Sequence, residues 1–345
     1  MTTRRKLAPA WALGTLLASL PAQGQDALPA GITPEMQAAI DRGLEYLARS
    51  QSRDGCWRGN GTEGAYPIAM TALAGMALLG QGSTPTRGKY WRNIRNATDF
   101  LMKQAQGNGV IAAPAEEGRS MYGHGFATMF LAQVYGMEED AKRQQQLQLI
   151  LTKAVQLIAR SQSGPGGWYY SPDSGSDEGS VTVTQMQALR ACRQAGITVP
   201  VKTVDKAVEY IRKSANSDGG IRYSVAGGGE SRPAISAAAV AVLYNAGRYD
   251  DPMAEKALVY AKRNLPITGA AHGHHFYAHL YLAQALYQKG GKEWDEYFAK
   301  MAGSLVRMQR KDGAWEGDGV GSVYGTSIGL TILQLPYALV PIYQR

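Results

Sequence analysis

Four of the five histidines fall within His272-Gly273-His274-His275-Phe276-Tyr277-Ala278-His279, and the fifth, His124, sits in Ser120-Met121-Tyr122-Gly123-His124-Gly125-Phe126. On a helix His275 and His279 share one face, a geometry that could hold zinc if a third ligand came from elsewhere. No Glu follows His275, so the metalloprotease spelling fails, and no metal or other cofactor is assigned. Imidazoles titrate near neutral pH, so His124, His274 and His275 are also candidate groups of a metal-free polar pocket, against packing or surface hydrogen bonding. The acidic candidates are Asp177 and Glu178, inside Asp173-Ser174-Gly175-Ser176-Asp177-Glu178-Gly179-Ser180. Adjacent carboxylates push one another's pKa values apart, so the two could supply an acid and a base. Placed before an apolar run, they also read as a helix N-cap favoured by the helix dipole. Asp177, Glu178 and His124 are the candidate catalytic residues.

Aromatic residues cluster near the same positions. Tyr122, Phe126, Tyr170, Tyr277 and Tyr324, with His274 and His275, are the candidate ligand-binding set, and Tyr66, Tyr169, Tyr223 and Phe276 occupy comparable places. Ring faces stabilise cations, and tyrosines also grip apolar chains or stack on sugars. In the plainer reading they fill space. A glycan-cleaving site would need two carboxylates about 5–10 Å apart, for which Asp177 with Glu316 or Asp318 is the one nomination.

The elements that must position these groups show in an alternation of two segment types. Met36, Ile40, Leu44 and Leu47 recur at helical spacing among charged residues, as do Leu147, Leu151, Ala154 and Ile158, which predicts amphipathic helices. Between such segments lie stretches with no Asp, Glu, Lys or Arg: 66–82, 120–137, 179–189, 233–247, 273–288 and 319–344. Helices without a charged face are buried ones. Six such pairs, at about 53 residues per unit, predict an all-α (α/α)6 toroid of six helical hairpins, an apolar inner ring wrapped by an amphipathic outer ring. Gly80, Gly136, Gly196, Gly247 and Gly290 are expected as left-handed residues ending the inner helices. Small inner residues such as Ala237-Ala238-Ala239 leave the size of any central cavity open.

Each outer helix passes into its inner helix through a turn with a shared spelling. Gln51-Ser52-Arg53-Asp54-Gly55-Cys56-Trp57, Gln162 to Trp168 and Gln309-Arg310-Lys311-Asp312-Gly313-Ala314-Trp315 have the same Gln-to-Trp spacing, with weaker versions at Gln104 to Val110 and Asn216 to Ile221. Gly makes the turn, Trp packs on the next unit and Gln bonds orphan backbone groups. These six Gln and Trp residues are a structural repeat, not a catalytic site.

At the N-terminus, the basic Thr3-Arg4-Arg5-Lys6, the apolar Leu7 to Leu20 and the small residues around Ala22 and Gly24 read as an export signal over residues 1–24, of Sec or twin-arginine type, leaving a single toroid domain over 25–345 and a periplasmic or secreted product. No membrane span is expected after cleavage. The formal net charge of +8 is spread along the 345 residues and interleaved with acids, which argues against nucleic-acid binding. Cys56 and Cys192 could form one disulfide in an oxidising compartment, but their wide separation favours two packed thiols. The 41 glycines and the charged share of only 19% follow from the turns and the buried helices.

The repeated Gln-x-x-x-Gly-x-Trp turn resembles the QW motif of squalene and hopene cyclases, and the chain resembles a prenyltransferase/squalene oxidase repeat protein over nearly all its mature length. Ser120 to Thr128 further resembles a segment of secreted bacterial proteins of this repeat class. The resemblance implies the toroid fold of class II terpenoid cyclases, protein prenyltransferase β subunits and the thioester domain of complement, with an apolar or isoprenoid-type ligand. The Asp-x-Asp-Asp acid stretch of the cyclases, the zinc-binding Asp-x-Cys of the prenyltransferases and the Gly-Cys-Gly-Glu-Gln thioester are all absent. Catalysis is therefore left open. The alternative is a noncatalytic binding or scaffold module of the cell envelope, for polysaccharide or a protein partner.

Overall fold

A computed structural model describes residues 28–268 and 274–345. The expected signal segment 1–24 and His272 lie outside the described residues. Among the described residues twelve α-helices alternate as the sequence predicts. The outer helices are α1 (Pro34–Ser50), α3 (Trp91–Lys103), α5 (Ala141–Arg160), α7 (Val201–Lys213), α9 (Pro252–Asn264) and α11 (Gly291–Met308). The inner helices are α2 (Pro67–Gly80), α4 (Ser120–Tyr135), α6 (Gly179–Gln194), α8 (Pro233–Asn245), α10 (His275–Lys289) and α12 (Ser322–Gln334). A two-stranded hairpin, β1 (Arg222–Ser224) and β2 (Gly228–Ser231), is added between α7 and α8.

Burial follows the charge pattern. Every residue of α2 is buried, whereas α1 buries one stripe, Met36, Ala39, Ile40, Gly43, Leu44 and Leu47. Each inner helix packs on the next, α12 returns to α2, and α1 meets α11 and α12, so the ring is closed. Gly75 permits close approach of α2 and α4, since a Cβ there would lie 2.5 Å from the Phe130 ring.

The Gln–Gly–Trp turns rivet the units together in one repeated way. The Nε2 groups of Gln51, Gln162 and Gln309 donate to the carbonyls of Gly55, Gly166 and Gly313 in their own turns. Each also donates to a carbonyl of the next outer helix, Asn93, Thr203 and Ala39 respectively, the last of which closes the ring. The indole N–H groups of Trp57, Trp168 and Trp315 donate to Leu47, Ile158 and Leu305 at 2.7–2.8 Å, ending the outer helices. Gly55 has φ +90° and lies so close to α3 that a Cβ would come within 2.5 Å of the Asn96 carbonyl. Only glycine satisfies both demands.

Of the glycines expected to end inner helices, Gly196, Gly247 and Gly290 are left-handed. Gly80 is instead the last helical residue, with Gly82 taking the left-handed position, and Gly136 has φ −69°. Gly80 is needed for space: a Cβ there would strike the Gln334 amide at 2.3 Å. Cys56 and Cys192 are both buried and unpaired. Among the described residues no helix is long and apolar enough to cross a membrane. The long uncharged stretch at 319–344 breaks after α12, and residues 338–345 fold back beneath the ring against the C-terminal ends of α6 and α10.

Candidate functional site

A cavity of about 550 Å³ opens at the end of the ring where the inner helices begin. All six contribute to its wall, through Met70, Tyr122, Ser180, Ile235, Tyr277 and Tyr324 among others, with the preceding loops forming the rim. The small inner residues thus leave a pocket of drug-like size. Six tyrosines line it: Tyr66, Tyr122, Tyr170, Tyr223, Tyr277 and Tyr324.

Six of the seven expected ligand-binding residues face this space: Tyr122, Tyr170, His274, His275, Tyr277 and Tyr324. Phe126 does not; it is buried one turn below, edge-on to Tyr122 with centroids 5.3 Å apart. Tyr66 and Tyr223 line the cavity, while Phe276 is core and Tyr169 is exposed. Tyr66 and Asp318 adopt left-handed backbone conformations, φ 38° and 47°, which non-glycine residues hold only under constraint from their surroundings.

The three expected catalytic residues are not brought together in the cavity. His124 is buried, and its Nδ1 accepts the Ile111 N–H at 3.1 Å. In the corresponding turns Thr71, Thr182 and Thr326 accept the N–H of Trp57, Trp168 and Trp315, and Ser236 accepts that of Ile221. His124 therefore does the work of a turn-locking hydroxyl, and burial pushes its pKa down to about 4. Asp177 accepts from the Tyr210 hydroxyl at 2.9 Å and the Val225 and Ala226 N–H groups at 2.7 and 3.2 Å, which ties the β-hairpin loop to α6. Glu178 is the N-cap of α6, accepting from the N–H groups of Ser180 and Val181. The capping reading holds for Glu178, whereas Asp177 fastens the hairpin loop instead of capping α6.

Other acids occupy the cavity. Glu116, in the short helical turn Pro114–Arg119 before α4, lines it and accepts the Ile68 N–H at 3.4 Å through Oε1. Its Oε2 is buried without a partner, and burial pushes its pKa up to about 7. Glu116 stands beside Glu117 in Ala115-Glu116-Glu117-Gly118, adjacent acids before an inner helix as at Asp177 and Glu178, and that pairing was the signal that could have found it. Asp318 also lines the cavity, but its two oxygens accept the Phe276 and Tyr277 N–H groups at 3.1 and 2.9 Å, so it caps α10. Glu316 pairs with Arg310 at 3.0 Å. Asp177 and Asp318 do not share the cavity, and the nominated carboxylate pair is not formed.

The histidines divide by their partners. His279 is held by the Tyr297 hydroxyl at 3.0 Å and the Pro266 carbonyl at 3.3 Å, and burial lowers its pKa to about 4. His275 stacks against it with centroids 4.5 Å apart, and both its ring nitrogens are buried without partners. Burial lowers the His275 pKa as well, so both rings are neutral at pH 7. The Tyr277 hydroxyl is likewise buried and unpartnered. Among the described residues no group of three metal-ligating side chains forms.

By sequence, the chain matches no family model and no curated protein. Solved structures do resemble it. The type II terpene cyclase MstE from Scytonema superposes with a TM-score of 0.62 at 14% identity, covering 89% of this chain and 100% of that one. A variant α-1,6-mannanase from Salegentibacter, in complex with α-1,6-mannotriose, gives 0.65 at 8% identity over 88% and 99%. A protein from Actinoplanes gives 0.60 at 17% identity over 88% and 99%. The chain thus has the (α/α)6 toroid fold found in a terpene cyclase and a mannanase, and its chemistry rests on the residues of its own cavity.

Proposed function

We propose that the chain is an exported toroid that binds an apolar, isoprenoid-type ligand in the entrance cavity, with Glu116 as the polar handle inside it. The carrying observation is a pocket walled by six tyrosine rings that contains one carboxylic acid with an unpartnered oxygen. Rings of this kind offer large apolar contact area and faces that favour positive charge. The cyclase neighbour, in complex with geranylgeranyl dihydroxybenzoate as substrate, places a prenyl chain in a toroid of this shape. The mannanase neighbour supports a sugar less well: Asp318 is taken up by the α10 backbone, and the remaining acid of the lining, Glu63, is exposed at the rim rather than inside the cavity beside Glu116.

The raised pKa of Glu116 limits the chemistry. A carboxyl group with a pKa near 7 keeps its proton in about half of the molecules at neutral pH, and it is a weak acid. Such a group donates a hydrogen bond or a proton to an oxygen on the ligand, as general acids do. Protonating a bare alkene needs a stronger acid, and the chain lacks the Asp-x-Asp-Asp stretch that the resemblance associates with that step. Binding therefore comes before turnover in this reading. Titration of the purified chain with geranylgeraniol and squalene, followed by intrinsic fluorescence, is expected to show saturable binding. Product analysis by mass spectrometry then separates the cases: a product lost in Glu116→Gln makes the toroid an enzyme, and binding without product makes it a noncatalytic carrier. Absence of binding to either compound overturns the reading.

A further inference from the structure

The rim of the cavity is electrically lopsided. On the arc over α4, α6 and α8 stand Arg119 and Arg232, both exposed and both lining the opening. Arg119 lies over the Tyr170 ring at 5.4 Å and Arg232 over the Tyr223 ring at 5.1 Å. The two tyrosine hydroxyls hydrogen-bond each other at 2.6 Å. The four side chains form one continuous strip, guanidinium, ring, ring, guanidinium. Among the described residues neither guanidinium forms an ion pair, and each has its ring-stacked face as its contact at the rim. The acids of the rim, Glu63 and Asp318, belong to the opposite arc beside α2, α10 and α12. Glu116 carries only part of a negative charge at neutral pH, because burial raises its pKa to about 7.

We infer that the ligand is an anionic amphiphile: an apolar chain that fills the tyrosine-lined cavity and an acid head group held at the rim between Arg119 and Arg232. This rests on the apolar-ligand reading and adds the head group to it. Stacking on a tyrosine holds each guanidinium in place while its N–H edge stays free for a carboxylate or phosphate oxygen. The cavity also faces the N-terminal ends of all six inner helices, the positive ends of their dipoles. An acid head group on the opposite arc would meet Glu63 and Asp318, so the asymmetry fixes which way round the ligand lies.

The test compares three probes with the same chain, geranylgeraniol, geranylgeranoic acid and geranylgeranyl monophosphate, by fluorescence titration of the purified protein at low and at moderate salt. We expect an acid probe to bind at least about tenfold more tightly than the alcohol, with the preference shrinking as salt rises. The double variant Arg119→Gln/Arg232→Gln should abolish that preference and leave alcohol binding unchanged. Arg119→Lys/Arg232→Lys, which keeps the charge, should retain part of it and controls for folding. The better of the carboxylate and the monophosphate identifies the head group. Equal binding of alcohol and acids by the unaltered chain overturns the inference while leaving the apolar pocket standing, and so does a preference that survives the Gln variant. Binding of none of the three removes both readings.

Discussion

The two ends of this toroid are built from the same six helices and treated in opposite ways. At the entrance end the inner-helix starts are spread around a cavity, and polar atoms of Glu116, His275 and Tyr277 are left without protein partners. At the floor the ring is stopped by residues 338–345. Ile342 and Tyr343 are buried there, and Arg190 of α6 donates to the carbonyls of Asn245 and Gln344 at 2.6 and 2.9 Å. Gln288 adds bonds to Asn245 and to the Tyr343 carbonyl at 3.2 and 3.4 Å. Buried polar groups without partners cost free energy, so a protein keeps them where something else will satisfy them. Unpartnered buried atoms remain at both ends, Arg190 Nε, Asn245 Nδ2 and Gln288 Oε1 at the floor among them. The difference is that the floor is covered by the folded-back tail, whereas those of Glu116, His275 and Tyr277 belong to the lining of an open cavity.

If that contrast is real, the largest stability effects belong to the floor. Replacing Ile342 and Tyr343 together by Ala should cost about 5 kcal/mol or more, by the scale of large-to-small changes at fully buried sites, read from denaturant melts. A loss under about 1 kcal/mol would mean that the plug is loosely attached and the toroid is open at both ends. Arg190→Ala is expected to cost about 2 kcal/mol, because it strands three backbone carbonyls at once.

The difference between the ends also explains what could be read from the residues alone. The ring was legible because its signals are periodic: charge-free stretches mark α2, α4, α6, α8, α10 and α12, and the Gln–Gly–Trp turn repeats its hydrogen bonds with its spelling. Of the cavity's tyrosines, Tyr66, Tyr170 and Tyr223 lie in the segments that lead into α2, α6 and α8, while Tyr122, Tyr277 and Tyr324 were legible because they sit in the first turns of α4, α10 and α12. The acids were not. Asp177 and Glu178 attract notice as neighbours in sequence, yet both are used up by backbone N–H groups. Glu116 becomes important only when the packing of α4 on α2 sets its linker against the start of α2, a contact across 48 residues. His124 was decipherable by aligning the units, where it stands in place of Thr71, Thr182 and Thr326.

Glu116 also gives the entrance a pH signature that the floor lacks. Its folded pKa, about 7, lies above the ordinary value of 4.5. Between those values the folded chain holds a proton that the unfolded chain has lost, so its contribution to stability is complete below about pH 4.5 and falls away as pH rises through about 7. His124 and His279, with pKa values lowered to about 4, act the other way: they favour the folded state above about pH 6.5, and that advantage is lost as pH falls through about 4. The informative quantity is accordingly the difference between the unaltered chain and Glu116→Gln. Glu116→Gln should be the more stable of the two at pH 8, by about 2 kcal/mol, and the gap should close by about pH 4. A gap that does not change with pH would show that Glu116 is ionised in the folded state and is no proton donor.

The smallest stability effect is expected where the entrance is most polar. Tyr277 is only 7% exposed, lines the cavity and packs edge-on against Tyr281 with centroids 5.0 Å apart, yet its hydroxyl has no partner. Tyr277→Phe keeps the ring and removes only the unsatisfied group, so stability should stay within about 0.5 kcal/mol or rise slightly. A buried tyrosine hydroxyl with a partner in the protein, such as that of Tyr210 on Asp177, should by contrast cost about 1–3 kcal/mol on the same change, because an acceptor is left stranded. Ligand binding should reverse the ranking. Tyr277→Phe is expected to weaken binding of an oxygen-bearing probe such as geranylgeraniol several-fold while leaving squalene unaffected, and Tyr210→Phe should change neither. If Tyr277→Phe instead destabilises the chain as much as Tyr210→Phe does, the hydroxyl already has a partner in the folded protein and is not held for a ligand.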